Sequence, residues 1–114
     1  MNTFKNSVQL LGNLGNAPEI KSTETGKKFA RFSIATNEGY KNAKGEWVEN
    51  TQWHNLIAWG PVAENVEKYL SKGTEVLIDG KLVTGNYQDK EGNKKYFTDV
   101  QVNEFLIVAK KATV

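Results

Sequence analysis

The chain has 114 residues, with no cysteine, one histidine (His54), one arginine (Arg31), two prolines and one methionine. The absence of cysteine removes disulfides, thiolate metal ligands and cysteine nucleophiles together. A lone histidine leaves a His-based zinc site without partners, so no metal and no cofactor is expected. No apolar run approaches the roughly 20 residues of a membrane-spanning helix. The opening M-N-T-F-K-N-S holds no apolar signal core, which makes a cytoplasmic location the expectation. Acids such as Asp79, Asp99 and Glu104 have no evident general-base partner, so no catalytic residue is assigned and no enzyme is expected. The scarcity of arginine is informative in a second way. Reading base edges in duplex DNA leans on bidentate arginine, whereas lysine serves as a point charge along phosphates. With 15 cations and a net charge of +2, any nucleic-acid contact should follow the backbone and read little sequence.

What the chain does have is 39% hydrophobic and 25% charged residues, the composition of a single compact domain spanning residues 1–114. It also has three tryptophans at a fixed spacing: Trp47, Trp53 and Trp59. Steps of six keep side chains on one face of a strand and scatter them around a helix. That face reads Trp47, Glu49, Thr51, Trp53, Asn55, Ile57 and Trp59, aromatic mixed with polar. Such a mixture suits a surface that stacks flat ligands better than a core. The opposite parity, with Val48, His54, Leu56 and Ala58, is the better core face and gives His54 a structural role.

Along the chain, strand one is predicted over residues 4–14, ending in G-N-L-G, and Ala17-Pro18 interrupts it. Strand two starts briefly near 19–22, turns at Thr25-Gly26 and runs over 29–36, where Ala30, Phe32 and Ile34 alternate with Arg31 and Ser33. A polar loop over 37–45 carries Tyr40. Strand three covers 47–59. Gly60-Pro61 opens the one helix, with an apolar stripe of Val62, Val66, Tyr69 and Leu70 and a stop at Gly73. Strand four covers 75–84. Strand five covers 95–108, with Val100 and Val102 as core candidates. Between these two lies a long hairpin tip bearing Tyr87. Five strands with one helix between the third and fourth define an all-β OB-fold, a five-stranded Greek-key barrel whose strands two and three form a common ligand face.

The segments L-L-G-N-L-G-N-A-P-E, A-R-F-S-I-A-T-N-E, T-Q-W-H-N-L-I-A-W-G and Y-L-S-K-G-T-E-V-L-I-D-G-K-L, with the hairpin around N-Y-Q-D, resemble the bacterial single-stranded DNA-binding proteins. They occur in order over nearly the whole chain. The resemblance implies sequence-independent binding and protection of single-stranded DNA in replication, recombination and repair, in a bacterial cytoplasmic, nucleoid-associated setting. It puts base stacking on Tyr40, Trp53, Trp59 and Tyr87, and it implies a homotetramer. Further candidates for DNA contact are Phe29, Arg31, Ser33, Trp47, Asn55, Lys72, Lys81 and Lys94. Two departures stand out. Val83-Thr84-Gly85-Asn86 replaces several basic residues ahead of Tyr87. The chain also ends in V-A-K-K-A-T-V, without the acidic tip through which the family recruits repair enzymes, so tail-mediated recruitment is not expected of it. The rival readings are an RNA-binding OB module and a tail-less paralog that acts as an assembly domain.

Overall fold

The computed structural model describes residues 5–109; Phe4, expected to start the first strand, and residues 110–114 lie outside them. The elements are β1 (Val8–Leu14), β2 (Glu19–Ser22), β3 (Lys28–Asn37), β4 (Tyr40–Lys41), β5 (Trp47–Val48), β6 (Thr51–Trp59), α1 (Pro61–Tyr69), β7 (Glu75–Gln88) and β8 (Lys94–Ala109). One sheet has the order β1-β7-β8-β6-β3-β2, and β1 also pairs with β3. Five strands therefore return on themselves, and β2 is added beside β3. The sheet has six strands rather than the expected five because residues 19–22 form a strand of their own. The β6–β8 pairing is parallel; β1–β3, β1–β7, β2–β3, β3–β6 and β7–β8 are antiparallel.

One local pattern makes three of the reversals. The segments T-E-T-G-K (23–27), N-A-K-G-E (42–46) and D-K-E-G-N (89–93) each close by a bond from the first residue's N–H to the fifth residue's carbonyl, at 2.8, 2.9 and 2.9 Å. In each, the first side chain caps the turn: Thr23 Oγ1 accepts from the Lys27 N–H, Asn42 Oδ1 from Lys44 and Glu46, and Asp89 Oδ1 from Glu91 and Asn93. The fourth residue has φ of 78 to 86°, the left-handed region that glycine enters without penalty. These turns explain two differences from the sequence reading. The loop over 37–45 contains strand β4, paired with β5. The hairpin tip near Tyr87 shortens to residues 89–93, so Tyr87 lies in strand β7.

The core takes alternate residues of each strand: Ala30, Phe32 and Ile34 of β3, Leu56 and Ala58 of β6, Val76 and Ile78 of β7, and Val100 and Val102 of β8. Helix α1 follows Gly60 (φ 58°) with Pro61 in its first turn and contributes Ala63 and Val66, with Leu70 just past its end. Those positions, three and four apart, form one helical face. Tyr69, expected in the stripe, is instead 54% exposed. It stands one residue short of Leu70, about 100° around the helix, and Ala63 fills the buried position. An ion pair fastens α1 to β3: the Lys28 ammonium donates to Glu67 Oε1 at 2.5 Å. That bond raises the Lys28 pKa, opposed by desolvation and assisted by the charges of Glu67 and Glu64.

The β7 strand changes register between Asp79 and Gly80, and a Cβ at Gly80 would collide with the Gln101 carbonyl oxygen. Backbone is in the way, so no side chain can yield. Gly80→Ala should therefore cost about 1–3 kcal/mol in urea unfolding, with Gly45→Ala, which faces open space, losing only the cost of positive φ.

Candidate nucleic-acid interface

The β3–β6 ladder pairs Phe29 with Trp59, Arg31 with Ile57, Ser33 with Asn55 and Ala35 with Trp53. Directly opposed residues share a face, so these eight side chains form one outward surface. The even positions between them supply the core. The register through β8 and β7 extends the surface. Gln101 lies beside Ile57, and Asp99 opposes Val83, Phe97 opposes Gly85 and Lys95 opposes Tyr87.

The aromatic groups on this surface are held in different ways. Trp53 is 62% exposed, and its ring lies against the backbone of Gly15, where a Cβ could not fit. Trp59 is half-buried; its ring centroid is 5.1 Å from that of Phe29 at 41°, and Lys27 Nζ stands 4.9 Å over it. That gives a tilted aromatic pair with a cation already on one face. Tyr87 is 56% exposed. Phe97, beside it and covering Gly85, is 38% exposed. Sequence reading missed both Phe97 and Lys27 as parts of this surface. Phe97 has the parity of Asp99 and Lys95, which would have marked it once the extent of β8 was known.

Tyr40 and Trp47 sit on the β4–β5 hairpin beyond the end of the β3–β6 ladder. The tryptophan strand is broken at Glu49-Asn50, so Trp47 does not continue the ladder of Trp53 and Trp59. Tyr40 opposes Val48 and Trp47 opposes Lys41, so Tyr40 and Trp47 project from opposite sides of the hairpin. Trp47 is 64% exposed and lies over Gly39.

Polar candidates fall into two groups. Arg31 bonds Asp99, with Nη1 3.3 Å from Oδ2, and Ile57, opposite Arg31 in the ladder, is only 7% exposed despite its outward parity. Ser33 Oγ donates to Asn16 Oδ1 at 2.8 Å. Asn55 is exposed and makes no side-chain hydrogen bond among the described residues. Lys72, Lys81 and Lys94 are all exposed, but they are spread out: Lys72 follows α1, Lys81 lies midway along β7, and Lys94 starts β8, 5.8 Å from the Tyr96 ring. His54 faces inward, its Nε2 3.0 Å from Thr36 Oγ1, which in turn donates to Glu38 Oε2 at 2.8 Å. Among the described residues no group of three or more His, Cys, Asp or Glu side chains could hold a metal ion, and no helix is long and apolar enough to cross a membrane.

A closed sheet capped by one helix, with an outward face of aromatic rings, amides and scattered lysines, defines an OB-fold module suited to flat, polyanionic ligands. The chain belongs to the single-strand binding protein family, whose sequence profile matches residues 5–108. It is 40% identical over 107 residues to single-stranded DNA-binding protein 1 of Chlorobaculum tepidum, covering 93% of this chain and 66% of that protein. It is 37% identical to single-stranded DNA-binding protein 1 of Xylella fastidiosa, covering 93% of this chain and 79% of that one. The solved complex of Plasmodium falciparum SSB with ssDNA superimposes with a TM-score of 0.83 at 29% identity, covering 95% of this chain and 99% of that one.

The seat of Trp53 can be tested without any ligand. A Cβ at Gly15 would collide with the far edge of the exposed Trp53 ring, which can swing into solvent, and would otherwise meet only Ser33 Oγ, at 3.4 Å. Gly15→Ala should alter the near-ultraviolet circular dichroism of the tryptophans while changing unfolding free energy by no more than about 0.5 kcal/mol.

Proposed function

We propose that this chain, as a single OB domain, binds single-stranded DNA without catalysis and with little regard for sequence. The carrying observation is the face shared by Trp53, Trp59 and Phe29, which is flanked by Tyr87 and Phe97 and reached by Lys27. Bases of a single strand offer flat faces to such rings, and a duplex does not. Tyr40 extends the stacking row from the β4–β5 hairpin, with Trp47 on that hairpin's other side. Lys72, Lys81 and Lys94 attract the phosphates, and Ser33 and Asn55 offer polar contacts between the rings. The naming of relatives for single-stranded DNA binding and the solved ssDNA complex of a related protein support this reading. Protection of single strands during replication, recombination and repair in the bacterial cytoplasm, close to the nucleoid, is the role that follows.

Titration with oligo-dT should quench tryptophan fluorescence, and raising salt should weaken binding, with log K falling by about 0.7 per phosphate neutralised for each tenfold rise in salt. Trp53→Ala and Trp59→Ala should each weaken binding by about 1–3 kcal/mol, and Trp47→Ala by less. An unquenched spectrum at saturating oligo-dT would refute the proposal.

The proposal includes self-association, with a homotetramer as the expected assembly. Strands β1, β7 and β8 turn Leu11, Leu77 and Leu106 outward in one cross-strand row. Leu11 is 51% and Leu106 67% exposed, with Val108 nearby at 53%. A row of large apolar side chains on three adjacent strands is costly to leave in water and fits a second copy of the same sheet. Native mass spectrometry should find a tetramer, and Leu106→Glu should shift it to smaller species with the fold intact; a monomeric wild type would contradict this part.

A further inference from the structure

We propose that Lys27 is a positioning residue for the bound strand: its ammonium rests on Trp59 in the free protein, gives up that ring face to a base, and moves to the phosphate beside that base. This rests on the single-stranded DNA reading above and adds a moving part to it.

Lys27 closes the turn T-E-T-G-K. Its carbonyl accepts from the Thr23 N–H at 2.8 Å, and its own N–H donates to Thr23 Oγ1 at 3.1 Å. The backbone that carries the side chain is therefore fixed. Residue 27 has the parity of Phe29 and Arg31, so the side chain leaves the sheet on the ring-bearing side. Its Nζ stands 4.9 Å from the centroid of the Trp59 ring. Phe29 opposes Trp59 in the ladder and packs its own ring beside it. Lys27 is exposed and Trp59 half-buried, so the ring face under the ammonium is the one turned toward solvent.

The other cations at this end of the face are engaged: Lys21 with Glu19 at 3.0 Å, Lys28 with Glu67, and Arg31 with Asp99 at 3.3 Å. Among the described residues the Lys27 ammonium has no carboxylate partner, and the indole ring is what it rests on. A cation over an exposed ring is held weakly, and a base stacked on that ring is held more strongly. A base arriving at Trp59 therefore displaces the ammonium. The base brings a phosphate, which attracts the freed charge, and the flexible lysine stem lets it follow. The turn keeps the root of the side chain in place while its end swings. Stacking and phosphate contact are thus coupled at one nucleotide, whichever base is present.

The test uses fluorescein-labelled oligo-dT and anisotropy over about a tenfold range of salt, for wild type, Lys27→Met and Lys68→Met. Lys68 is the matched control: its ammonium is 5.6 Å from the Tyr69 ring, on helix α1 rather than on this face. Lys27→Met should bind roughly fivefold more weakly at the low-salt end and match wild type at the high-salt end, the slope of log K against log salt falling by about 0.7. Lys68→Met should keep the wild-type slope. In proton NMR the Lys27 ε-methylene signals should stand upfield in the free protein, under the indole ring current, and move downfield at saturating oligo-dT. An unchanged slope in Lys27→Met, an equal change in Lys68→Met, or ε-methylene signals at the same position in free and saturated protein overturns the exchange and leaves DNA binding standing. If wild type does not bind oligo-dT, the proposal and the reading beneath it fall together.

Discussion

The nine cross-strand pairs between β3 and β6 are the constraint on which the rest depends. Side chains alternate with a period of two, so a slip of β6 by one residue against β3 would turn Leu56 and Ala58 into solvent and fold Trp53 and Trp59 inward. Burial of the even positions holds the register, and the register presents the odd positions as a surface. The core and the binding face are therefore two consequences of one alignment. The Phe29–Trp59 pair closes one end of that ladder and Trp53, resting on Gly15, stands near the other. The Arg31–Asp99 bridge ties β3 to β8 over the strand between them.

The two exposed faces of the closed sheet differ in chemistry. The β3–β6 face mixes rings with amides, a guanidinium and nearby lysines, and suits a ligand that is flat on one side and anionic on the other. The β1-β7-β8 face carries a row of leucines and suits a dry contact with its own copy. Lys28, although it opens β3, is engaged with Glu67 and secures the helix; Lys27 beside it is the cation that reaches Trp59. Neighbouring lysines thus have different roles, and the carboxylate within reach assigns them.

Much of this was legible in the sequence because parity is a local property. The alternation over residues 29–36 and 51–59 identifies both faces of the central strands, and Gly60-Pro61 marks the helix start through the fixed φ of proline. Five family segments in order fix the fold around them. Elsewhere, features depended on contacts between distant residues. The break at Glu49-Asn50, which removes Trp47 from the tryptophan ladder, arises where β5 leaves the sheet to pair with β4. Tyr69 and Ala63 exchange places because the helix face is set by the strands beneath it. Phe97 joins the ring-bearing face through its pairing with Gly85, and the meeting of Arg31 with Asp99, 68 residues apart, has no sequence signal. The three turns were legible only in part. Their glycines are evident, but the capping by Thr23, Asn42 and Asp89 becomes recognisable only when the reversals are compared.

The central claim is that the odd face of β3 and β6 is where single-stranded DNA lies. The most direct measurement is a ¹⁵N-resolved NMR titration of the protein with oligo-dT, following the three indole N–H signals together with the backbone amides. The account predicts large shifts for the Trp53 and Trp59 indoles and for amides of Phe29 to Ala35, with Leu11, Leu77 and Leu106 unaffected. Shifts concentrated at those leucines, with the Trp53 and Trp59 indoles unmoved at saturation, would contradict it.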